Sequence, residues 1–130
     1  MKTYNIKYNF GYSKQNKPSL NIILDPYFDD YSLISGSIEC STYTYGQPYL
    51  DDILENLKKL TSKEIEYYEF GEEWAFFECD NESSVFSDIN KSICSINTNE
   101  LYNVILQWRK YFLDECKKNK VEILNIPYYK

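Results

Sequence analysis

Leu101, Val104, Ile105, Trp108, Phe112 and Cys116 fall on one face of a single helix, and no other feature constrains the fold of this chain as strongly. An apolar stripe of this kind is not stable in water alone, so it requires a second layer to cover it. Asn97 and Glu100 stand at capping-box spacing just ahead of the stripe. Lys117, Lys118 and Lys120 close it, where a helix favours positive charge. A second helix is predicted from Pro48, which suits a first helical position, with Leu50, Ile53, Leu54 and Leu57 as its buried face. Asp51 and Asp52 then read as first-turn acids that complement the helix dipole.

The covering layer reads as strands. Thr3 to Phe10 alternates, with Tyr4, Ile6, Tyr8 and Phe10 on one side. A polar turn from Gly11 to Pro18 leads into a second strand over Ser19 to Leu24, which Asp25-Pro26 closes. Tyr31 to Tyr45 is rich in β-branched and aromatic residues and predicts a third strand, alternating through Ile34, Gly36, Ile38 and Cys40, with Gly36 as a bend or bulge. Ile65 to Phe70, Trp74 to Cys79 and Ser84 to Ile89 predict a meander turned at Gly71 and at Asp80-Asn81. Val121 to Ile126 predicts a closing strand that Pro127 ends. The expected fold is α+β: a single domain over 1–130, a mostly antiparallel sheet with two helices packed on it, in the order β-β-β-α-β-β-β-α-β.

Several function classes are excluded by what is missing. With 130 residues, the chain needs no metal or disulfide to fold. It has no histidine, which removes the commonest general base and the usual zinc ligand. Cys40, Cys79, Cys94 and Cys116 form no CxxC pair and lack an activating base, so reduced, mostly buried thiols are expected. Gly11, Gly36, Gly46 and Gly71 lie singly, so no phosphate-cradling loop is present. Asp29-Asp30 and Asp51-Asp52 do not resemble a calcium loop or a two-metal carboxylate set. The expectation is therefore no catalytic residue, no cofactor and no metal. A carboxylate-based hydrolase would need two acids in divided environments within a concave pocket. Met1 to Lys7 carries no apolar run and no segment is long enough to span a membrane, so a cytoplasmic protein is expected.

Charge supplies the functional lead. The chain is net -6, which argues against direct nucleic-acid binding. Eight of its 20 acidic residues and none of its 14 basic ones lie between Glu64 and Glu82, so the remainder is net +2. The first 24 residues hold Lys2, Lys7, Lys14 and Lys17 and no acid, which predicts a bipolar molecule. Glutamates on a sheet can simply guard an edge against aggregation. Mixed with Tyr67, Tyr68, Phe70, Trp74 and Phe77 they also have the two ingredients of a docking surface, aromatic anchors and steering charge. The partner-binding candidates are Glu64, Glu66, Tyr67, Tyr68, Glu69, Glu72, Glu73, Trp74, Glu78 and Asp80. Alternation predicts that Tyr67 or Tyr68 reaches solvent, and exposed aromatics serve a homodimer equally well.

Gly71-Glu72-Glu73-Trp74-Ala75-Phe76-Phe77, the entry Ser95-Ile96-Asn97-Thr98-Asn99-Glu100-Leu101 and the helix Leu106-Gln107-Trp108-Arg109-Lys110-Tyr111-Phe112-Leu113 carry a resemblance. Together they resemble small immunity proteins of bacterial polymorphic-toxin and contact-dependent growth-inhibition systems, over about the last half of the chain. The resemblance implies a cytoplasmic, non-enzymatic protein that binds a cognate toxin domain, usually a nuclease, and blocks it. No contact residue is carried over from it. A non-catalytic adaptor for another cytoplasmic protein is the alternative.

Overall fold

The computed structural model describes residues 3–25, 31–89 and 92–119. The elements are β1 (Thr3–Tyr12), β2 (Pro18–Asp25), α1 (Tyr31–Tyr45), α2 (Gln47–Thr61), β3 (Tyr68–Glu72), β4 (Ala75–Cys79), β5 (Ser83–Asp88), β6 (Ser92–Asn97) and α3 (Thr98–Asn119). The α+β class and the mostly antiparallel sheet are as expected, but the order is β-β-α-α-β-β-β-β-α with three helices. One six-stranded sheet runs β2-β1-β6-β5-β4-β3, antiparallel throughout except where β1 lies parallel to β6. That parallel pairing is short, Thr3 opposite Ser95 and Tyr4 opposite Ile96. Beyond it the Ile6 N–H is satisfied by the Glu100 carboxylate, 3.2 Å away.

The main correction concerns Tyr31–Tyr45, which forms helix α1 and not a strand. Its buried residues Ile34, Ser35, Ser37, Ile38, Ser41 and Thr42 recur at helical spacing. Small hydroxyl residues let the helix approach its neighbours closely, and each hydroxyl can return to the helix's own backbone. Ser37 donates to the Ile34 carbonyl at 3.2 Å and Thr42 to the Ile38 carbonyl at 2.7 Å, so burying them leaves no orphan. Gly36 is therefore mid-helix and makes no bulge. Gly46, with φ 77°, joins α1 to α2 in a single residue, a backbone conformation that favours glycine.

Other boundaries shift less. The predicted meander is present as β3, β4 and β5, but Ile65 to Tyr67 and Ile89 lie outside its strands. Strand β6, which the sequence pattern did not single out, extends it. Helix α2 begins at Gln47, so Asp51 and Asp52 sit past the first turn; Asp51 pairs with Arg109 at 2.5 Å. The capping box at α3 is half made, since Asn97 Oδ1 accepts from the N–H groups of Asn99 and Glu100 while Glu100 turns away to Ile6. The strand expected over Val121–Ile126, Pro26 and the Asp29-Asp30 pair lie outside the described residues.

One face of the sheet forms the core with all three helices: Leu20, Ile22, Leu24, Phe77, Phe86 and Ile96 cluster with Ile34 and Ile38 of α1, Leu50 and Leu57 of α2, and Leu101, Ile105, Trp108 and Phe112 of α3. Phe70, Phe77 and Phe86 form a continuous ring ladder with centroids 5.0 Å apart at each step. The indole N–H of the fully buried Trp108 donates to Thr42 Oγ1 at 3.0 Å, linking α3 to α1.

Helix α1 also closes the sheet's two edges. On β2, Glu39 accepts from Leu20 N–H and Ser19 Oγ, and Tyr43 donates to the Pro18 carbonyl. Two residues from Glu39, Ser41 donates to Glu72 of β3 at 3.3 Å. A flat sheet of six strands would hold its edges about 24 Å apart. Both edges reach one short stretch of α1, so the sheet is curled around that helix. On β2 this occupies the Leu20 N–H and the Pro18 carbonyl, two of the edge groups that would otherwise be open to pairing.

Two glycines predict opposite responses. A Cβ added at Gly36 meets nothing within 4 Å, so Gly36→Ala should stabilise the fold by about 0.5–1 kcal/mol in urea unfolding. Gly71 has φ 128° and its Cβ would lie 2.7 Å from the Ala75 carbonyl oxygen, so Gly71→Ala should cost roughly 1–3 kcal/mol.

The thiols give a separate check. Cys79, Cys94 and Cys116 are buried, and burial raises each from 9.0 to about 11, whereas Cys40 is exposed. The folded state therefore favours the neutral thiols, and stability should fall as pH rises from about 9 towards 11, where the unfolded chain ionises first. A thiol reagent at neutral pH should modify Cys40 in the native chain and reach Cys79, Cys94 and Cys116 only after unfolding.

Candidate acidic docking surface

The β3–β4 hairpin sets the geometry of the acidic segment. Its two-residue turn, Glu73-Trp74, places Glu72 opposite Ala75, Phe70 opposite Phe77 and Tyr68 opposite Cys79. Because side chains alternate, Tyr68 and Phe70 turn inward while Glu69 and Glu78 turn to the open face of the sheet. Nine of the ten candidate residues consequently separate into three groups, and Tyr68 packs inward.

The open face carries Tyr67, Glu69 and Glu78. Glu69 and Glu78 are directly opposite one another on adjacent strands, an arrangement that normally destabilises a sheet. Tyr67 is 54% exposed, and its hydroxyl lies 2.8 Å from Glu69 and 3.1 Å from Glu78, donating to either carboxylate. The hydrogen bond to Glu69, with smaller contributions from desolvation and Glu78, raises the Tyr67 hydroxyl well above the ordinary tyrosine range. Among the described residues, no ion pair involves a carboxylate from Glu64 to Glu82.

The hairpin tip carries Glu72, Glu73 and Trp74, with Trp74 42% exposed. Glu72 is half-buried on the inner side, held by Ser41. Tyr45, one helical turn beyond Ser41, is also 42% exposed, and its ring lies 5.1 Å from that of Tyr49. The negative charge of Glu72 raises the Tyr45 hydroxyl above its ordinary value. The Tyr49 hydroxyl is buried, and no described residue gives it a hydrogen bond of good geometry.

The opposite end holds Glu64, Glu66 and Asp80. Glu66 is exposed, and Glu64 is exposed while accepting from Ser62 at 2.8 Å. Asp80 serves the fold itself, since its Oδ1 accepts from the N–H groups of Glu82 and Ser83 and its carbonyl accepts from Thr98. The turn it organises is fixed between α2 and α3, because Asn81 donates to the Leu60 and Ile65 carbonyls.

Thus the structure unites Tyr67, Glu69 and Glu78, gathers Glu72, Glu73 and Trp74 at the tip, and gives Tyr68 and Asp80 structural roles. Tyr68 stacks on Phe70 and its hydroxyl, raised chiefly by burial and then by Asp52, points to Asp52 of α2. The sequence reading missed Tyr45 and Tyr49, which α1 and α2 bring to Glu72. The signal was present in Gly46-Gln47-Pro48, a helix start immediately after Tyr45. In the strand order Lys7, Lys14 and Lys17 belong to the β1–β2 hairpin and the acidic segment to the β3–β4 hairpin, and the curl of the sheet brings both edges to α1. Among the described residues, no group of three or more histidine, cysteine, aspartate or glutamate side chains could hold a metal ion, and no helix is long and apolar enough to cross a membrane.

Comparison with protein-family models, curated proteins and solved structures finds no match for this chain.

The opposed carboxylates make a stability prediction. Glu78→Gln keeps an acceptor for Tyr67 and removes the repulsion across from Glu69, so it should raise stability by about 0.2–1 kcal/mol, with the gain shrinking as salt is added. An unchanged or lowered urea midpoint at low salt would show that the pair carries no net repulsion.

Proposed function

We propose that this protein is a non-catalytic inhibitor that works in the cytoplasm by binding a basic protein, and that this partner is the toxin domain of a bacterial polymorphic-toxin or contact-dependent growth-inhibition system. A nuclease is the favoured toxin, since enzymes that handle phosphate chains carry basic surfaces that carboxylates can occupy. The observation that carries this reading is the direct opposition of Glu69 and Glu78 on the open sheet face. A fold selected only for stability has no reason to set like charges against each other there, while a surface that meets cations does. Exposed Tyr67 between the two carboxylates adds an aromatic contact where the charge is greatest. The four free thiols suit a reducing compartment. The resemblance to immunity proteins supplies the partner class, and the charge pattern supplies the surface.

The decisive measurement combines this protein with the nuclease domain encoded by the neighbouring gene and reads nucleic-acid cleavage. Stoichiometric inhibition is expected. In the triple variant Glu66→Lys, Glu69→Lys, Glu78→Lys, association should slow by about 10–100-fold at low salt and lose most of its salt dependence. Full inhibition by the triple variant at the wild-type association rate would place docking on another surface. Failure of the wild-type chain to inhibit would remove the toxin reading altogether.

A further inference from the structure

The sheet ends differently on its two sides. At the β2 edge, α1 takes up the Leu20 N–H and the Pro18 carbonyl. At the β3 edge, its hydrogen bond goes to the Glu72 side chain. The two-residue turn between β3 and β4 makes Glu72 and Ala75 a hydrogen-bonded pair. By alternation Phe70 and Tyr68 also bond to β4, while the N–H and carbonyl groups of Glu69 and Gly71 turn to the outside. Among the described residues, none hydrogen-bonds to these outward groups or to the backbone of Tyr67, just before the strand.

This edge is also accessible. Glu66, Tyr67, Glu69 and Gly71 are exposed, and because Gly71 has no side chain its exposure is that of the backbone itself. An open groove lined by Glu69, Phe70, Gly71, Glu72 and Phe76 lies against the strand. A sheet edge with unpaired N–H and carbonyl groups accepts another strand, and charge decides which one. A second copy paired through β3 would bring Glu66, Glu69 and Glu72 against the same three acids, which opposes self-pairing. Among the described residues, no ion pair involves these three carboxylates. A strand that carries cations is the one that fits.

We infer that the β3 edge, from Tyr67 to Gly71, receives an extended segment of the basic partner as an added antiparallel strand, with lysine or arginine at alternate positions. Residues paired directly across two strands share a face. The partner residues bonded to Tyr67 and Glu69 therefore place their side chains on the open face, beside the carboxylates of Glu69 and Glu78. Main-chain bonds hold the segment, and the alternate cations set its register. The inference rests on the reading of the chain as a binder of basic proteins and adds the form in which the partner docks.

The test titrates the full chain with an octapeptide of alternating lysine and threonine, followed by calorimetry. Two further forms carry methyl groups on the backbone nitrogens, either of every lysine or of every threonine, and both keep all the ammonium charges. The threonine-methylated form should bind within about threefold of the unmethylated peptide, since its altered nitrogens face away from β3. The lysine-methylated form should bind about tenfold or more weakly, because it has lost the N–H groups that face Tyr67 and Glu69. Amide exchange at Tyr67 and Glu69 should slow by about tenfold or more on binding of the unmethylated peptide. Phe70, already bonded to β4, should not change.

Equal binding by the two methylated forms, weakening of the threonine-methylated form alone, or unchanged exchange at Tyr67 and Glu69 overturns strand addition. If the two methylated forms bind alike and the triple Glu66→Lys, Glu69→Lys, Glu78→Lys variant binds neither, the docking reading stands and only strand addition fails. If that variant binds the unmethylated peptide as well as wild type does, both fail.

Discussion

Glu39 and Ser41, two residues apart on α1, hydrogen-bond to opposite edges of the six-stranded sheet, and the rest of the structure follows from that closure. A sheet of this width normally leaves two rows of unpaired backbone groups. Curling it until both edges meet one helix caps part of the β2 row, at the Leu20 N–H and the Pro18 carbonyl, ties the β3 edge through the Glu72 side chain, and leaves the opposite sheet face open. The same helix must then be buried on several sides, so it carries serine and threonine where an amphipathic helix would carry a polar face. Thr42 shows how the arrangement is satisfied: it donates to its own backbone and accepts from the indole of Trp108. Without that acceptor the fully buried indole N–H would stay unpaired, at a cost of about 1–3 kcal/mol.

The closure also separates the two kinds of acidic residue. Carboxylates that the fold uses, Glu39, Asp80 and Glu100, accept backbone N–H groups. Glu69 and Glu78 do no such work; they face each other across a strand pair and share only the hydroxyl of Tyr67. Distinguishing these two groups requires the register, since a one-residue slip would exchange the inward and outward sets. Tyr67 and Tyr68 illustrate this directly, one exposed beside carboxylates and the other packed on Phe70.

Much of the architecture was legible in the pattern of residues. The α3 stripe, the α2 stripe, β1, β2 and the three-strand meander all follow from periodicity, because each buries one face and leaves the other wet. Helix α1 escaped because serine and threonine fill many of its buried positions, so burial follows the helical period while hydrophobicity does not, and β-branching alone suggests a strand. With α1 misread, Tyr45 and Tyr49 could not be placed near Glu72. The concentration of acid between Glu64 and Glu82 was plain in the sequence, but its division into a face, a tip and a structural turn was not.

The sequence by itself determined that this chain is α+β, that its carboxylates gather in one segment without basic residues, and that histidine chemistry is absent. These depend on residue identity and near-neighbour spacing, which no packing can alter. Only the tertiary structure decided that α1 is a helix spanning both sheet edges, that Glu69 opposes Glu78, and that Tyr45 joins the hairpin tip. The α1 contacts pair residues 19 and 31 positions apart, and the Glu69–Glu78 opposition depends on the register that the hairpin adopts. Such contacts arise from burying surfaces against one another, and local propensity carries no information about which surfaces will meet.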